Sequence, residues 1–363
     1  MSSCNCNCKH RKYETRIYPG SVNGEKTLLT GVRHVDNRDE DIVYISGFYV
    51  PLISANTTGF VYKGCLCGNG HWHNLNYPPV NGKPTITNLY GPNNGKHKDT
   101  IQVVGNYTIQ GQTGTLGCLY EGKLDGSGHW TTIVPPFGTV INTICHSTMG
   151  GLVVGNYDTN LVQGKAFIYD IKHRHYFDIT NPHAVSITAY GIWLNSNDDS
   201  DDCKDKDTKR HYTICGGFTN TAGINVAYLV DFDKKHRHLK NWRTYNYNND
   251  PHKALITHFD GITIGEDNNS YNLTGEAQEK GSLISNAFYA QVKKNKNEPK
   301  SKHRHHHHDH DCRASKAKWC KVEYPNKLAT TGNTVYRKWV IGVYTQVNDA
   351  SVDGYVSYVK GDW

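Results

Sequence analysis

The sequence predicts an all-β fold, a six-bladed β-propeller with four antiparallel strands per blade, closed by the N-terminal strand completing the last blade. Three observations carry this. A phrase of the form apolar-x-Gly-x-aromatic, or a near variant, recurs six times: Ile45–Tyr49, Val103–Tyr107, Val153–Tyr157, Ile214–Phe218, Leu273–Ala277 and Val340–Tyr344. Each copy lies between strand-like runs, so units of roughly 45–70 residues repeat with four short strands apiece. The third is composition. The chain has 35 Gly, 24 Tyr, seven Trp and two Met in 363 residues, rich in turn formers and strand-favouring aromatics, and no stretch has helical periodicity.

The blades follow in order. Residues 27–80 read LLTG, ISGFY, GFVYKG and HWHNLNYP; 85–136 read TITNLYG, VVGNY, GCLYEG and HWTTIVP; 140–182 read INTICH, VVGNY, AFIYDI and HYFDITNP. Residues 186–249 read ITAYGIW, ICGGF, AYLVDF and NWRTYNYN, and 255–326 read ITHFDGI, LTGEA, AFYAQV and KWCKVEYP. The last unit, 328–363, has ATTGN, VIGVY and GYVSYV but no fourth strand. Lys12–Thr27, KYETRIYPGSVNGEKT, has the form of His71–Thr85, so 12–26 supplies the missing outer strand and removes an exposed edge. One domain fills the chain. A Cys-rich terminus, 1–11, and two polar insertions, 195–210 and 294–317, read as solvated segments.

No apolar run approaches the roughly 18 residues of a membrane span. The N-terminus MSSCNCNCKHRK lacks the apolar core of a secretory signal, and an odd count of 11 Cys leaves at least one thiol unpaired in a monomer. Both point to a compartment that keeps thiols reduced. Cys145 and Cys215 read as buried strand residues, whereas Cys4, Cys6 and Cys8 alternate with Asn at the terminus.

A second repeat lies over the first. Lys-His-Arg followed by Lys or His occurs at Lys9–Lys12, Lys172–His175, Lys235–His238 and Lys302–His305, each in the turn leading into a blade's outer strand. Most of the 21 His thereby fall on one face. One reading is a soluble way to build a turn. The other is a basic face in which Lys9, Arg11, Lys172, Arg174, Lys235, Arg237, Lys302 and Arg304, within a net charge of +7, bind a polyanion such as nucleic acid or an acidic glycan, or a partner protein. The tract His303, His305, His306, His307, His308, His310 and Cys312 has the donors of a transition-metal site, zinc for example, the one cofactor the sequence points to.

Propeller enzymes work at the central channel, to which the inner strands contribute Thr30, Asn88, Thr143, His146, Thr188, His258, Asp260 and Thr331. The fifth unit departs from the repeat, with TGEAQ in place of VGNY, which sets Glu276 near His258 and Asp260. A His with two carboxylates can hold a divalent cation or do acid–base work; it can equally be a satisfied polar network. Arg33 is the only Arg near an inner strand, too few for a sialidase's arginine clamp, and no nucleophile elbow or phosphate loop is present.

The phrases GFVYKGCLCGNGHWHNLNYPP, NLYGPNNG, HSTMGGLVVGNYD, SITAYGIW and LVDFD resemble an uncharacterised propeller family of mimivirus-type giant viruses, with bacterial relatives, over essentially the whole chain. The resemblance implies viral origin, expression in host cytoplasm and association with the virion; it implies no activity. The expectation drawn is a non-enzymatic scaffold or binding module with a basic, His-rich face. The alternative is a metal-dependent hydrolase or lyase acting in the channel through His258, Asp260 and Glu276.

Overall fold

A computed structural model describes residues 13–16, 26–36, 42–50, 56–66, 68–195, 211–294, 316–346 and 352–360. The strand-forming runs alternate buried and half-buried residues in the inner strands and are almost wholly buried in the second and third, as expected for sheets covered on both faces. After β1 (Tyr13–Arg16), four antiparallel meanders follow one another. The first is β2 (Thr27–His34), β3 (Ile42–Tyr49), β4 (Thr58–Cys65) and β5 (Gly68–Asn74). The second is β6 (Thr85–Asn94), β7 (Ile101–Ile109), β8 (Leu116–Gly122) and β9 (His129–Ile133). The third is β10 (Val140–Met149), β11 (Leu152–Thr159), β12 (Lys165–Asp170) and β13 (His175–Ile179). The fourth is β14 (Ser186–Asn195), β15 (His211–Thr219), β16 (Asn225–Asp233) and β17 (His238–Tyr245).

The rest of the chain forms one nine-stranded sheet from β18 (Ala254–Ile264), β19 (Ser270–Glu279), β20 (Asn286–Lys293), β21 (Lys318–Val322), β22 (Ala329–Thr330), β23 (Thr334–Tyr336), β24 (Trp339–Thr345), β25 (Val352–Tyr358) and β1. The fold is therefore all-β and propeller-like, with four separate four-stranded blades and a further sheet, where six separate blades were expected. The cause is the short strand β22. It pairs parallel with β20 through Asn286 and Thr330 and antiparallel with β24 through Thr330 and Tyr344, so the hydrogen-bond ladder continues where a gap was anticipated. The N-terminal β1 lies antiparallel on β25, Tyr13 opposite Ser357 and Arg16 opposite Gly354.

Apolar cores lie between successive units rather than within them. Leu152, Val154 and Ile168 meet Ile187, Ile214 and Phe232; Cys215 and Leu229 meet Phe259, Leu273 and Phe288. Val61 and Leu75 meet Leu89 and Val103, and Val104 and Leu119 meet Cys145 and Phe167. Leu29, Val43 and Phe60 meet Ile341 and Val356, joining the first sheet to the last strands of the chain. Within the nine-stranded sheet, Ala287, Tyr289 and Val322 bury against Val335, Val340 and Tyr355. Burial of this kind contributes roughly 1.5–3 kcal/mol per large apolar side chain.

Cys118, Cys145 and Cys215 are buried free thiols. Cys65 is disulfide-bonded. The exposed large apolar side chains Ile141, Leu161, Val162, Val185, Leu255, Leu283 and Leu328 sit at inner-strand starts or in second-to-third turns. In a meander these share one end of the sheets, opposite the Lys-His-Arg turns.

Candidate active site

Each of the five continuous inner strands carries a bulge. Register shifts fall between Leu29 and Gly31, Leu89 and Pro92, Cys145 and Ser147, Ala189 and Gly191, and Phe259 and Gly261. A bulge leaves a residue out of the ladder and re-aims its side chain. The skipped side chains are Thr30, Tyr90, His146, Tyr190 and Asp260, and all five line one cavity of about 360 Å³ walled by the inner strands. Asn333 joins them from the last unit. Four of the five bulges are followed by glycine because neighbouring strands touch there. A Cβ on Gly91 would stand 2.7 Å from the His146 carbonyl oxygen, and one on Gly261 2.7 Å from the Thr334 Cα.

Glu276 enters the cavity from β19, directly opposite His258 on β18. It occupies the phrase position filled by Asn106 and Asn156 in the second and third units. His258 Nε2 lies 3.3 Å from Asp260 Oδ2, and one ligand atom from each of His258, Asp260 and Glu276 falls within 4.8 Å of the others. Burial works against the His258 charge, but Asp260 and Glu276 outweigh it and hold the imidazolium up to about 9. Burial, reinforced by the Asp260 charge, pushes Glu276 up to about 7, and burial also raises Asp260. A histidine fixed as a cation beside a carboxyl that titrates near neutrality is the pattern of separated acid and base roles.

The second cavity histidine is in the opposite state. Burial drives His146 down to about 4, so its neutral ring donates from Nε2 to Asn156 Oδ1 at 2.5 Å. Tyr190 bridges the two, its ring centroid 4.7 Å from His146 and 5.5 Å from His258. Burial pushes the Tyr90 and Tyr190 hydroxyls up to about 12, so both remain protonated donors. Asp260 and Glu276 project from paired strands.

Of the expected channel residues, Thr30, His146, His258 and Asp260 line the cavity; Asn88, Thr143, Thr188 and Thr331 do not. Hydrogen bonds to neighbours take up three of those four. The Thr57 hydroxyl donates to Asn88 Oδ1, Thr188 to the Gly217 carbonyl and Thr331 to Asn333 Oδ1. Tyr90, Tyr190 and Asn333 are cavity residues that the sequence reading passed over. The signal for Tyr90 and Tyr190 was the residue before glycine in LYG and AYG, equivalent to Asp260 in FDG; Asn333, after Gly332, has no such signal.

Lys172, Arg174, Lys235 and Arg237 are exposed in the third-to-fourth turns of the third and fourth sheets. In both turns an aspartate makes the loop. Asp170 Oδ1 accepts from the Lys172 and His173 amides at 3.1 and 3.2 Å, and Asp233 does the same for Lys235 and His236. The His173 and His236 rings each rest 3.0 Å from the second carboxylate oxygen. Arg174 and Arg237 take the left-handed conformation at φ 55°. Burial opposes charge on both aspartates, yet these bonds and Lys234 or Lys240 lower both carboxyls, Asp233 well below the usual range. Part of the Lys-His-Arg repeat is thus turn geometry. Lys9, Arg11, Lys302, Arg304, His303, His305, His306, His307, His308, His310 and Cys312 lie outside the described residues.

No family model and no curated protein matches the sequence. Among solved structures the chain is similar to a glycoside hydrolase (TM-score 0.45, 10% identity, 97% of this chain and 92% of that one). It is also similar to an exo-1,5-α-L-arabinanase from a bovine ruminal metagenomic library (TM-score 0.40, 10% identity, 93% and 95%) and to an endo-arabinase from Bacteroides thetaiotaomicron (TM-score 0.38, 9% identity, 76% and 94%). Likeness at this level says nothing of activity.

Proposed function

We propose that the protein is an enzyme that moves protons on a small ligand held in the central channel, of hydrolase or lyase type. Glu276 is the proton-transfer group, His258 the fixed cation that meets developing negative charge, and Asp260 the partner that orients it. The observation that carries the reading is the departure from the repeat at Glu276: a carboxyl stands where two other units have Asn, beside the one inner strand that presents His and Asp together. The expected result is turnover of ester, glycosidic or uronic-acid test compounds that falls roughly 10²-fold or more in Glu276→Gln. Activity indifferent to that change would contradict it.

The same three side chains offer one imidazole nitrogen and two carboxylates, a donor set that suits a divalent cation such as zinc or manganese. A metal would have to displace the His258 proton, so loading would depend on pH. In the architectural reading that accompanies this proposal, the nine-stranded sheet is two blades joined by β22, six in all. The apolar layer of Ala287 and Tyr289 against Val340 and Tyr355 supports it, since such layers separate every other pair of neighbours.

A second reading concerns the basic face. Lys172, Arg174, Lys235 and Arg237 are exposed on neighbouring turns, and Arg237 leans over Phe177 of the adjacent sheet at 5.9 Å. This favours a polyanion or a virion component as partner. Salt-sensitive retention on heparin, lost when the four are neutralised, is the expected outcome.

A further inference from the structure

Arg33 lies near the C-terminal end of β2 and lines the same cavity as the His258 cluster. Its guanidinium carbon stands 5.4 Å from the centre of the Trp193 ring on β14, so the contact joins the first and fourth sheets across the channel. Its Nε is buried and has no hydrogen-bond partner, and among the described residues nothing forms an ion pair with it. Asp36 favours the charge from a distance, and although burial lowers the guanidinium to about 10 it remains a cation at neutral pH. A half-buried guanidinium whose Nε is buried without a partner keeps donors free for a ligand.

Arg33 lies three residues beyond Thr30, whose bulge position in the fifth unit is Asp260, which is roughly 10 Å along the channel at strand rise. The intervening wall has the aromatic faces of Tyr90 and Tyr190 and the polar groups of Ser147 and Asn333. A cavity of about 360 Å³ falls within the range of small-molecule sites. We infer that the channel takes a small hydroxylated compound with an anionic group, carboxylate or phosphate, which Arg33 receives while the rest of the ligand reaches the His258, Asp260 and Glu276 cluster. The planar fork of a guanidinium suits either anion through paired hydrogen bonds, with Trp193 holding it in plane from behind. This rests on the channel being the functional site and names the class of ligand it takes.

Calorimetry on the full chain with glucose, glucuronate and glucose 6-phosphate tests it. One or both acids bind at least tenfold more tightly than glucose, and Arg33→Gln removes that preference. The choice between glucuronate and glucose 6-phosphate decides carboxylate against phosphate. Equal binding of acid and neutral sugar, no binding of any of the three at millimolar concentration, or an acid preference that survives Arg33→Gln overturns the proposal. Arg33→Met supplies a separate readout: without ligand it melts higher than the wild type, because a donor buried without a partner is gone, whereas a purely structural arginine would give a lower melting temperature. Acid binding without any Glu276-dependent turnover refutes the proton-transfer reading alone; turnover of neutral compounds that ignores Arg33 refutes this one alone.

Discussion

Gly217 makes room for His258. A Cβ on Gly217 would stand 2.6 Å from the His258 Cβ, too close for both side chains to keep their places. Gly217 belongs to the fourth unit and His258 to the fifth, so the geometry of the cluster depends on a residue in the neighbouring sheet.

Gly217→Ala therefore displaces His258 from Asp260. The expected cost is about 1–3 kcal/mol, typical of overpacking a tight site. The imidazole should also lose its elevated titration near 9, measured by proton NMR of the histidine ring. An unchanged His258 titration in a folded Gly217→Ala protein would show that the two residues are not coupled.

Stability should fall as pH rises. The Glu276 carboxyl is raised from 4.5 to about 7 in the folded chain, so its contribution is fully present below about 4.5 and lost through 7. His258 is raised from 6.5 to about 9, so its contribution is present below about 6.5 and lost through 9. Each amounts to a few kcal/mol at most. Urea unfolding between pH 4.5 and 9 should show both declines, and Glu276→Gln should abolish the first and shrink the second, since the Glu276 charge helps to hold His258 up.

The turn aspartates can be separated from the turn cations. Asp233→Ala should cost about 1–2 kcal/mol, because two amides lose their acceptor. Replacing Arg174 and Arg237 by Gly should leave stability equal or slightly higher, since φ 55° is unstrained for glycine. Heparin retention of that double variant should drop if the basic face binds a polyanion and stay unchanged if Lys-His-Arg only builds a turn.

Metal uptake by the channel should rise about tenfold per pH unit between about 7 and 9, as the cation competes with the His258 proton, and more steeply below 7, where Glu276 is protonated as well. Zinc and manganese titrations on a variant lacking 300–311 isolate the channel from the His-rich tract. Affinity independent of pH in that variant would place the metal elsewhere.

The repeat was legible because each strand needs the same alternation, and the glycine phrase marks the second strand of every unit. The count of separate sheets was not, since β22 is two residues long and its pairing with β20 as well as β24 leaves no mark on the pattern. At the cavity, His258, Asp260 and Glu276 stood out because they interrupt a repeat. Tyr90 and Tyr190 did not, because simple period-two reasoning misplaces residues at a bulge. The pairing of Asp170 with His173 and Asp233 with His236 was not legible, because it depends on the turn folding each histidine ring back onto the aspartate three residues before it.

The central claim is that Glu276 is poised to exchange a proton near neutral pH. Carbon NMR of glutamate-labelled protein, titrated from pH 3 to 9 and assigned with Glu276→Gln, measures this directly. The account predicts one carboxyl with its midpoint close to 7, absent from the Glu276→Gln spectrum. A Glu276 signal that titrates in the ordinary carboxylate range would contradict it.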